Sequence, residues 1–455
     1  MGVVSRLKAY TYMVIGAEVS RITRYADLVV EIDPVPGDDG HLSRNIRSAR
    51  EIVRVSLADL AGLGDLGPES TAVLLLNGNF NHSSDIQGTL EAVRPFMSRS
   101  SRVVAVVYNS YYSWLYRLAD RAGIRKGPRC VTFLTRTDLH NLARLAGFEL
   151  VRLRPAAHVP WRLFGVGTLL NRVLPALPGL RWLSLVTVAI LRPLTAAAAT
   201  RPTISIVVPA RNEKDNIENA LVRLPHLATQ VEVIFVEGHS SDGTADEIRR
   251  VAAEWDGRNG LRVRAFTQEG HGKADAVRLG FSKATGELLT ILDADLTMPP
   301  EMLPRFYEAY RQGLADFVNG TRLVYPMEGR AMRFLNRLGN VFFAKAVSHV
   351  LDTRLADTLC GTKLLSRRDY ERFTRWRCDF GEFDPFGDFE LLFPAAVLGL
   401  GVVDVPVRYR ARTYGTTNIR RFRDGLKLFR MTTTGFARIK MGDARRTTVR
   451  EPRRE

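Results

Sequence analysis

From Thr203 onward, short apolar runs alternate with segments of helical period. "TISIVVPARNE" is an apolar strand running into Pro209, "DNIENALVRL" has helical spacing, and "VEVIFVEG" is a second strand. "LRVRAFTQ" gives a third strand, "GKADAVRLGFSKA" a helix and "LLTILDAD" a fourth strand. These runs are continuously apolar, as in strands buried on both faces, so the pattern predicts an α/β domain with a largely parallel sheet. In such sheets ligands bind outside the carboxyl ends of the strands, and Glu213, Glu237, Asp293 and Asp295 fall at those ends.

The first 200 residues repeat the alternation more faintly. "TYMVIGAEVSRI" reads as strand then helix, "ADLVVEIDP" as a strand ending in Asp33, and "TAVLLLNG" and "SRVVAVVYN" as strands. "DLHNLARLAGFELVRLRP" reads as a helix leading into a strand, which makes a second doubly wound α/β sheet. The Ala/Thr/Pro stretch "RPLTAAAATRPT" reads as a linker. The expected organisation is an α/β domain over 1–191, a linker over 192–202, a second domain over 203–442 and a basic, disordered tail over 443–455. "WLSLVTVAILRPLTAAAA" from Trp182 is strongly apolar only as far as Leu191, too short to cross a bilayer, and is read as a buried or interfacial segment.

Composition narrows the partners. With 455 residues and 45% hydrophobic content the chain can fill two or three cores. A net charge of +17 points to an anionic partner: nucleic acid, an acidic membrane face or a phosphorylated substrate. No zinc-finger spacing, RNP aromatic motif or KH loop accompanies the charge, so no specific nucleic acid is expected. Cys130, Cys360 and Cys378 lack CxxC spacing and the N-terminus lacks a signal-peptide pattern, which together predict a cytoplasmic protein.

The chemistry concentrates in "GELLTILDADLTMPPE". On a strand, side chains at i and i+2 share a face, so Asp293 and Asp295 are expected to converge and to need a cation between them. Carboxylates completed by phosphate oxygens and water are how Mg²⁺ or Mn²⁺ is held on a nucleotide diphosphate, where the metal offsets charge on the leaving group.

Four ordered stretches, "VVPARNE", "VEGHSSDGT", "GHGKADAVRLG" and "DADLTMPPE", resemble the family 2 glycosyltransferases with a GT-A fold, and within them the dolichol- and polyprenyl-phosphate sugar transferases. The resemblance runs from about Thr203 to Met441. It implies that Pro209, Arg211, Glu213, Glu237 and Asp242 bind the nucleoside, although such relatives have an aromatic residue at Arg211 and paired Asp at Glu237 and Gly238. It further implies that Lys273, Asp293, Ala294, Asp295 and Arg322 meet the donor diphosphate, with Asp293 and Asp295 as metal ligands. Arg337, Asp357 and Arg412 fall on the acceptor or phosphate side. Thr297 stands where these relatives have Gln, and Thr417-Asn418 where they have Ser-Lys.

"DPFGDFELLF" supplies Asp384, Asp388 and Glu390, which by the resemblance stand where inverting members place a second acidic cluster near the acceptor. Asp388 is the candidate base for a hydroxyl acceptor; a phosphate acceptor is already ionised, and Asp388 would then orient Arg412 or the acceptor loop. Ile419, Phe422, Leu426 and Phe429 make an apolar helical stripe among Arg420, Arg421, Arg423, Lys427 and Arg430, a pattern that fits a helix on an anionic membrane or one docked on its own domain.

From "LVVEIDP" to "LTRTDLHNLARLAGFELV" the N-terminal region resembles a class I S-adenosylmethionine (SAM)-dependent methyltransferase, but "VIGAEVSRI" offers only Gly16 where a glycine-rich cofactor loop should be. The sequence thus leads to an inverting, metal-dependent glycosyltransferase that moves a sugar from a nucleotide-diphosphate sugar to a polyprenyl phosphate. It would be cytoplasmic and peripheral at the inner membrane face. The alternative is a bifunctional SAM-dependent methyltransferase and glycosyltransferase acting on a soluble hydroxyl compound.

Overall fold

The computed structural model describes residues 3–34, 40–48, 51–63, 70–123, 128–195, 201–326, 334–381, 387–410, 412, 414 and 421–441. Asp384, Thr417, Asn418, Ile419, Arg420 and the 443–455 tail, all singled out above, lie outside the described residues. Two sheets organise the chain.

The first contains β1 (Leu28–Ile32), β2 (Val53–Val55), β3 (Ala72–Asn77), β4 (Arg102–Tyr108), β5 (Phe148–Ala156) and β6 (Val186–Pro193), in the order β2-β1-β3-β4-β6-β5. β1 to β4 are mutually parallel, and β6 runs antiparallel to both β4 and β5. Along β3, Leu74 and Leu76 enter one core while Val73 and Leu75 enter the other, so both faces are buried and the run reads as unbroken.

Two readings of this region change. "TYMVIGAEVSRI" holds no strand: it belongs to one helix, Val3–Thr23, because Ile15, Val19 and Ile22 recur at helical spacing and bury a single face. Gly16 serves helix packing, since a Cβ there would lie 2.6 Å from the Asn45 carbonyl oxygen. The apolar stretch after Trp182 is β6, an interior strand of the sheet, which accounts for its hydrophobicity. Arg192 and Pro193 therefore belong to β6 and not to the 192–202 linker.

The second sheet contains β7 (Ile204–Ala210), β8 (Val231–Glu237), β9 (Leu261–Thr267), β10 (Leu288–Ile291), β11 (Phe317–Thr321), β12 (Lys363–Ser366) and β13 (Val402–Pro406), in the order β13-β11-β12-β10-β7-β8-β9. All pairings are parallel except those of β12, which is reversed against both β10 and β11. This reversal brings the start of β12 to the edge where β7, β8, β10 and β11 end. β10 stops at Ile291, so Asp293 and Asp295 stand in the turn beyond it and not on the strand, which corrects the same-face argument.

Buried charge joins the two sheets. Asp316 accepts from Arg102 at 2.7 Å and pairs with Arg99 at 3.3 Å and Arg192 at 3.4 Å, the arginines coming from the first sheet and its connections. Asp352 similarly receives Arg181 at 2.5 Å and Lys440. Among the described residues no helix is long and apolar enough to cross a membrane.

Candidate active site

The site forms at the edge where β7, β8 and β10 end and β12 begins. β7 delivers Pro209 and, just past its end, exposed Arg211 and buried Glu213. Glu213 accepts from the Asn216 amide at 2.8 Å and lies 3.5 Å from Arg412. Burial pushes its carboxyl above the ordinary range, more than Asn216 and Arg412 pull it down.

β8 ends in Glu237, whose carboxylate accepts from the Ser240 amide at 2.6 Å. Burial raises this group, but hydrogen bonds from Ser240 and His239 more than offset it and hold it low. In the loop that follows, Asp242 accepts from the Thr244 amide at 3.0 Å and hydroxyl at 2.5 Å, and from the Tyr414 hydroxyl at 3.3 Å.

The turn after β10 is set by Leu296, whose φ of 51° is in the left-handed region and whose amide returns to the Asp293 carbonyl at 3.1 Å. Asp295 caps that turn, accepting from the Thr297 amide and hydroxyl at 3.1 and 2.8 Å, and its other oxygen receives Arg412 at 2.5 Å. Ala294 is buried between the two aspartates. Asp293 pairs with Lys273, the first residue of helix Lys273–Lys283. Burial opposes both charges. Lys273, Lys363 and Arg322 nevertheless hold Asp293 low, while Asp293 and Asp388 hold Lys273 high.

Gly361 makes this contact possible. A Cβ there would stand 2.2 Å from Lys273 Nζ and 2.3 Å from an Asp293 oxygen, so a larger residue would force this ion pair to shift. The same backbone is fixed by Lys363, fully buried in β12, whose ammonium donates to the Cys360 carbonyl at 2.5 Å and to Asp388 at 2.5 Å. Lys363 was missed by the sequence reading, although a lysine beside the apolar run of "TKLLS" was an available signal.

Other candidates are placed differently. Arg322 and Asp357 bind each other through two hydrogen bonds of 2.7 and 2.9 Å, and the Asp357 side chain is inaccessible. Arg337 is exposed near the start of helix Phe334–Leu351. Asp388 faces Lys363, whereas Arg412 faces Asp295 and Glu213, so the expectation that Asp388 orients Arg412 gives way to two separate ion pairs. Glu390 is buried and held by Arg278 at 2.7 Å and Arg377 at 3.3 Å.

Among the described residues no three His, Cys, Asp or Glu side chains group to hold a metal ion. Asp293 and Asp295 offer two hard oxygen ligands from one partly accessible turn, a donor set that suits Mg²⁺ or Mn²⁺ when a bound diphosphate completes the shell.

Residues 205–374, which run from β7 to β12, match the model of Glycosyl transferase family 2. The dolichol-phosphate mannosyltransferase of Saccharomyces cerevisiae is 38% identical over 123 residues, 26% of this chain and 44% of the yeast protein. The dolichyl-phosphate hexose transferase of Haloferax volcanii is 29% identical over 223 residues, 49% of this chain and 89% of that protein. A crystal structure of glucosyl-3-phosphoglycerate synthase from Mycobacterium tuberculosis shares 19% identity over 52% of this chain and 80% of that one, with a TM-score of 0.37. The chain thus spans less than half of the yeast relative and most of the archaeal one.

Proposed function

We propose that the protein is a hexosyltransferase of GT-A type that moves a sugar, with inversion, from a nucleotide-diphosphate sugar to a polyprenyl phosphate at a membrane face. The observation that carries this reading is the convergence at one sheet edge of Glu213, Glu237, Lys273, Asp293 and Asp295, all within the stretch that matches family 2, with Arg412 from beyond it. Relatives named for dolichol-phosphate transfer support the lipid acceptor.

In this reading Pro209, Arg211, Glu213, Glu237 and Asp242 form the nucleoside side of the site. Lys273 and Arg412, each already held against one aspartate of the turn, face the diphosphate, and arginine can grip phosphate through two hydrogen bonds. Asp293 and Asp295 would hold Mg²⁺ or Mn²⁺, which supplies Lewis-acid stabilisation of the leaving diphosphate. An acceptor phosphate oxygen attacks the anomeric carbon opposite the diphosphate. The new carbon–oxygen bond forms as the old one breaks, and its electron pair leaves with the nucleotide diphosphate.

A phosphate acceptor has no proton to give up. Asp388, ion-paired with buried Lys363, then acts as a positioning residue that fixes the Cys360–Gly361 backbone against Lys273 and Asp293. Arg322 and Asp357 brace the end of β11 in the same way. Arg337 remains the cation offered to the acceptor phosphate.

Helices Phe334–Leu351 and Arg421–Gly435 support the membrane placement. They pack on each other while Leu338, Phe342, Leu426 and Phe429 remain exposed, with Lys345 and Arg430 exposed on the same helices. Screening nucleotide sugars for Mn²⁺-dependent release of nucleotide diphosphate, with and without polyprenyl phosphate, tests the reading. Release from one sugar nucleotide, accelerated by the lipid, is expected; release unaffected by any polyprenyl phosphate but driven by a soluble alcohol contradicts the acceptor.

A further inference from the structure

We infer that the carboxyl edge of the first sheet is a docking surface for an anionic lipid bilayer. β4 ends at Tyr108, β5 ends at Ala156 and the reversed β6 begins at Val186, so the 109–112 and 157–185 connections share that edge. They are tied together: the Asn109 amide donates to the Trp182 and Ser184 carbonyls, each at 2.7 Å, and the Tyr112 hydroxyl donates to Leu183 at 2.8 Å.

This edge presents large apolar side chains to solvent. Trp114 and Leu118 of helix Ser113–Arg121 are 62% and 54% exposed, and Trp161, Phe164 and Leu169 of the second connection are 50%, 110% and 60% exposed. Leu163 and Phe164 hold φ values of 45° and 54°, a left-handed backbone uncommon for bulky residues, and the outcome is a phenyl ring wholly in solvent. Large apolar side chains left in solvent on the connections of one sheet edge point to an interaction site.

Charge identifies the occupant. From Leu150 to Asn212 the chain has no Asp or Glu. Arg162 and Arg172 are exposed within this acid-free stretch, and Arg117 and Arg121 on the adjoining helix. Tryptophan and arginine interleaved with aliphatic side chains fit the headgroup boundary of an anionic leaflet, where the rings enter the apolar layer and the cations meet phosphate. A second copy fits poorly, since a two-fold contact would set these cations against their own equivalents. The surface adjoins the helices described above: His349 of helix Phe334–Leu351 lies 2.9 Å from the Ala176 carbonyl, and Arg172 donates to the Met441 carbonyl at 2.7 Å. A bilayer touching both would bring a lipid phosphate to the transferase domain from the side of the first sheet.

The test is sedimentation of the full chain with phosphatidylglycerol or phosphatidylcholine vesicles, without nucleotide sugar, so that it reads docking independently of transfer. The unaltered protein should bind phosphatidylglycerol vesicles and bind phosphatidylcholine weakly. Phe164→Ser with Leu169→Ser should lower vesicle affinity at least tenfold, and being at exposed positions it should leave the melting temperature unchanged. Equal binding by the variant, no binding by the unaltered chain, or equal binding to both lipids overturns the inference. So does a dimer in analytical ultracentrifugation that the double substitution dissociates, which would make a second copy the occupant.

Discussion

A methyl group at Gly361 would intrude on the Lys273–Asp293 ion pair, and that close approach shows how tightly the centre of the site is built. Gly361→Ala should cost about 1 to 3 kcal/mol of stability by overpacking. It should also lower the transfer rate more than it lowers stability, because the ion pair must move; urea unfolding beside initial rates checks both. Asp295→Asn removes one metal ligand from an exposed turn and should reduce turnover by about 10²-fold or more with the fold intact, as loss of one transition-state charge contact does elsewhere. Full activity of that variant at limiting Mn²⁺ would remove the aspartate pair from the chemistry. The sequence made the aspartates, Glu213 and Glu237 legible because acids at strand ends are unusual there, whereas Lys273 and Arg412 were pointed to only by the family resemblance. It could not show that Arg322 and Asp357 satisfy each other, or that Lys363 anchors Asp388, since both pairs join residues distant in the chain.

At the scale of elements, β7 to β10 of the second sheet were readable from their apolar runs, while the short β11, β12 and β13 were not read as strands and the first sheet misled at two places. Helix Val3–Thr23 mixes apolar residues densely enough to imitate a strand, and β6 is hydrophobic enough to imitate a short membrane segment. Among the described residues no strand precedes β1, and Gly16, the one glycine offered for a cofactor loop, lies inside helix Val3–Thr23. Calorimetry with SAM at micromolar concentration should therefore show no heat of binding, and saturable binding would revive the bifunctional alternative. The helix stripe has a mixed outcome. Leu428 and Met431 are buried against the domain while Leu426 and Phe429 face outward, so one helix both docks and leaves an apolar edge free. Leu426→Ser with Phe429→Ser should release the protein from anionic vesicles without unfolding it. Unfolding instead would reassign these positions to core packing.

Across the whole molecule, buried charge holds the two sheets together, and composition alone gave no sign of it. Asp352 lies among Arg154, Arg181 and Lys440, and despite its burial, which works the other way, these cations depress its carboxyl from 3.8 to about 2. A carboxylate depressed in the folded state stabilises above its unfolded value and loses that contribution as pH falls through the folded one. The window therefore runs from about pH 4 down to about pH 2, and the contribution is about 2 kcal/mol. Asp352→Asn should be less stable at pH 6 and should lose less stability than the unaltered protein between pH 5 and pH 2.5, measured by urea unfolding at each pH. Equal slopes would place the acid sensitivity elsewhere. The central claim, sugar transfer to a lipid phosphate, is tested most directly by incubating the full chain with a radiolabelled nucleotide-diphosphate sugar, Mn²⁺ and polyprenyl phosphate, and following label into the organic phase. The expected result is a labelled polyprenyl-phosphate sugar of inverted anomeric configuration, absent with Asp293→Asn or Asp295→Asn; transfer of label only to a water-soluble acceptor, or lipid product made equally well by both variants, would contradict the account.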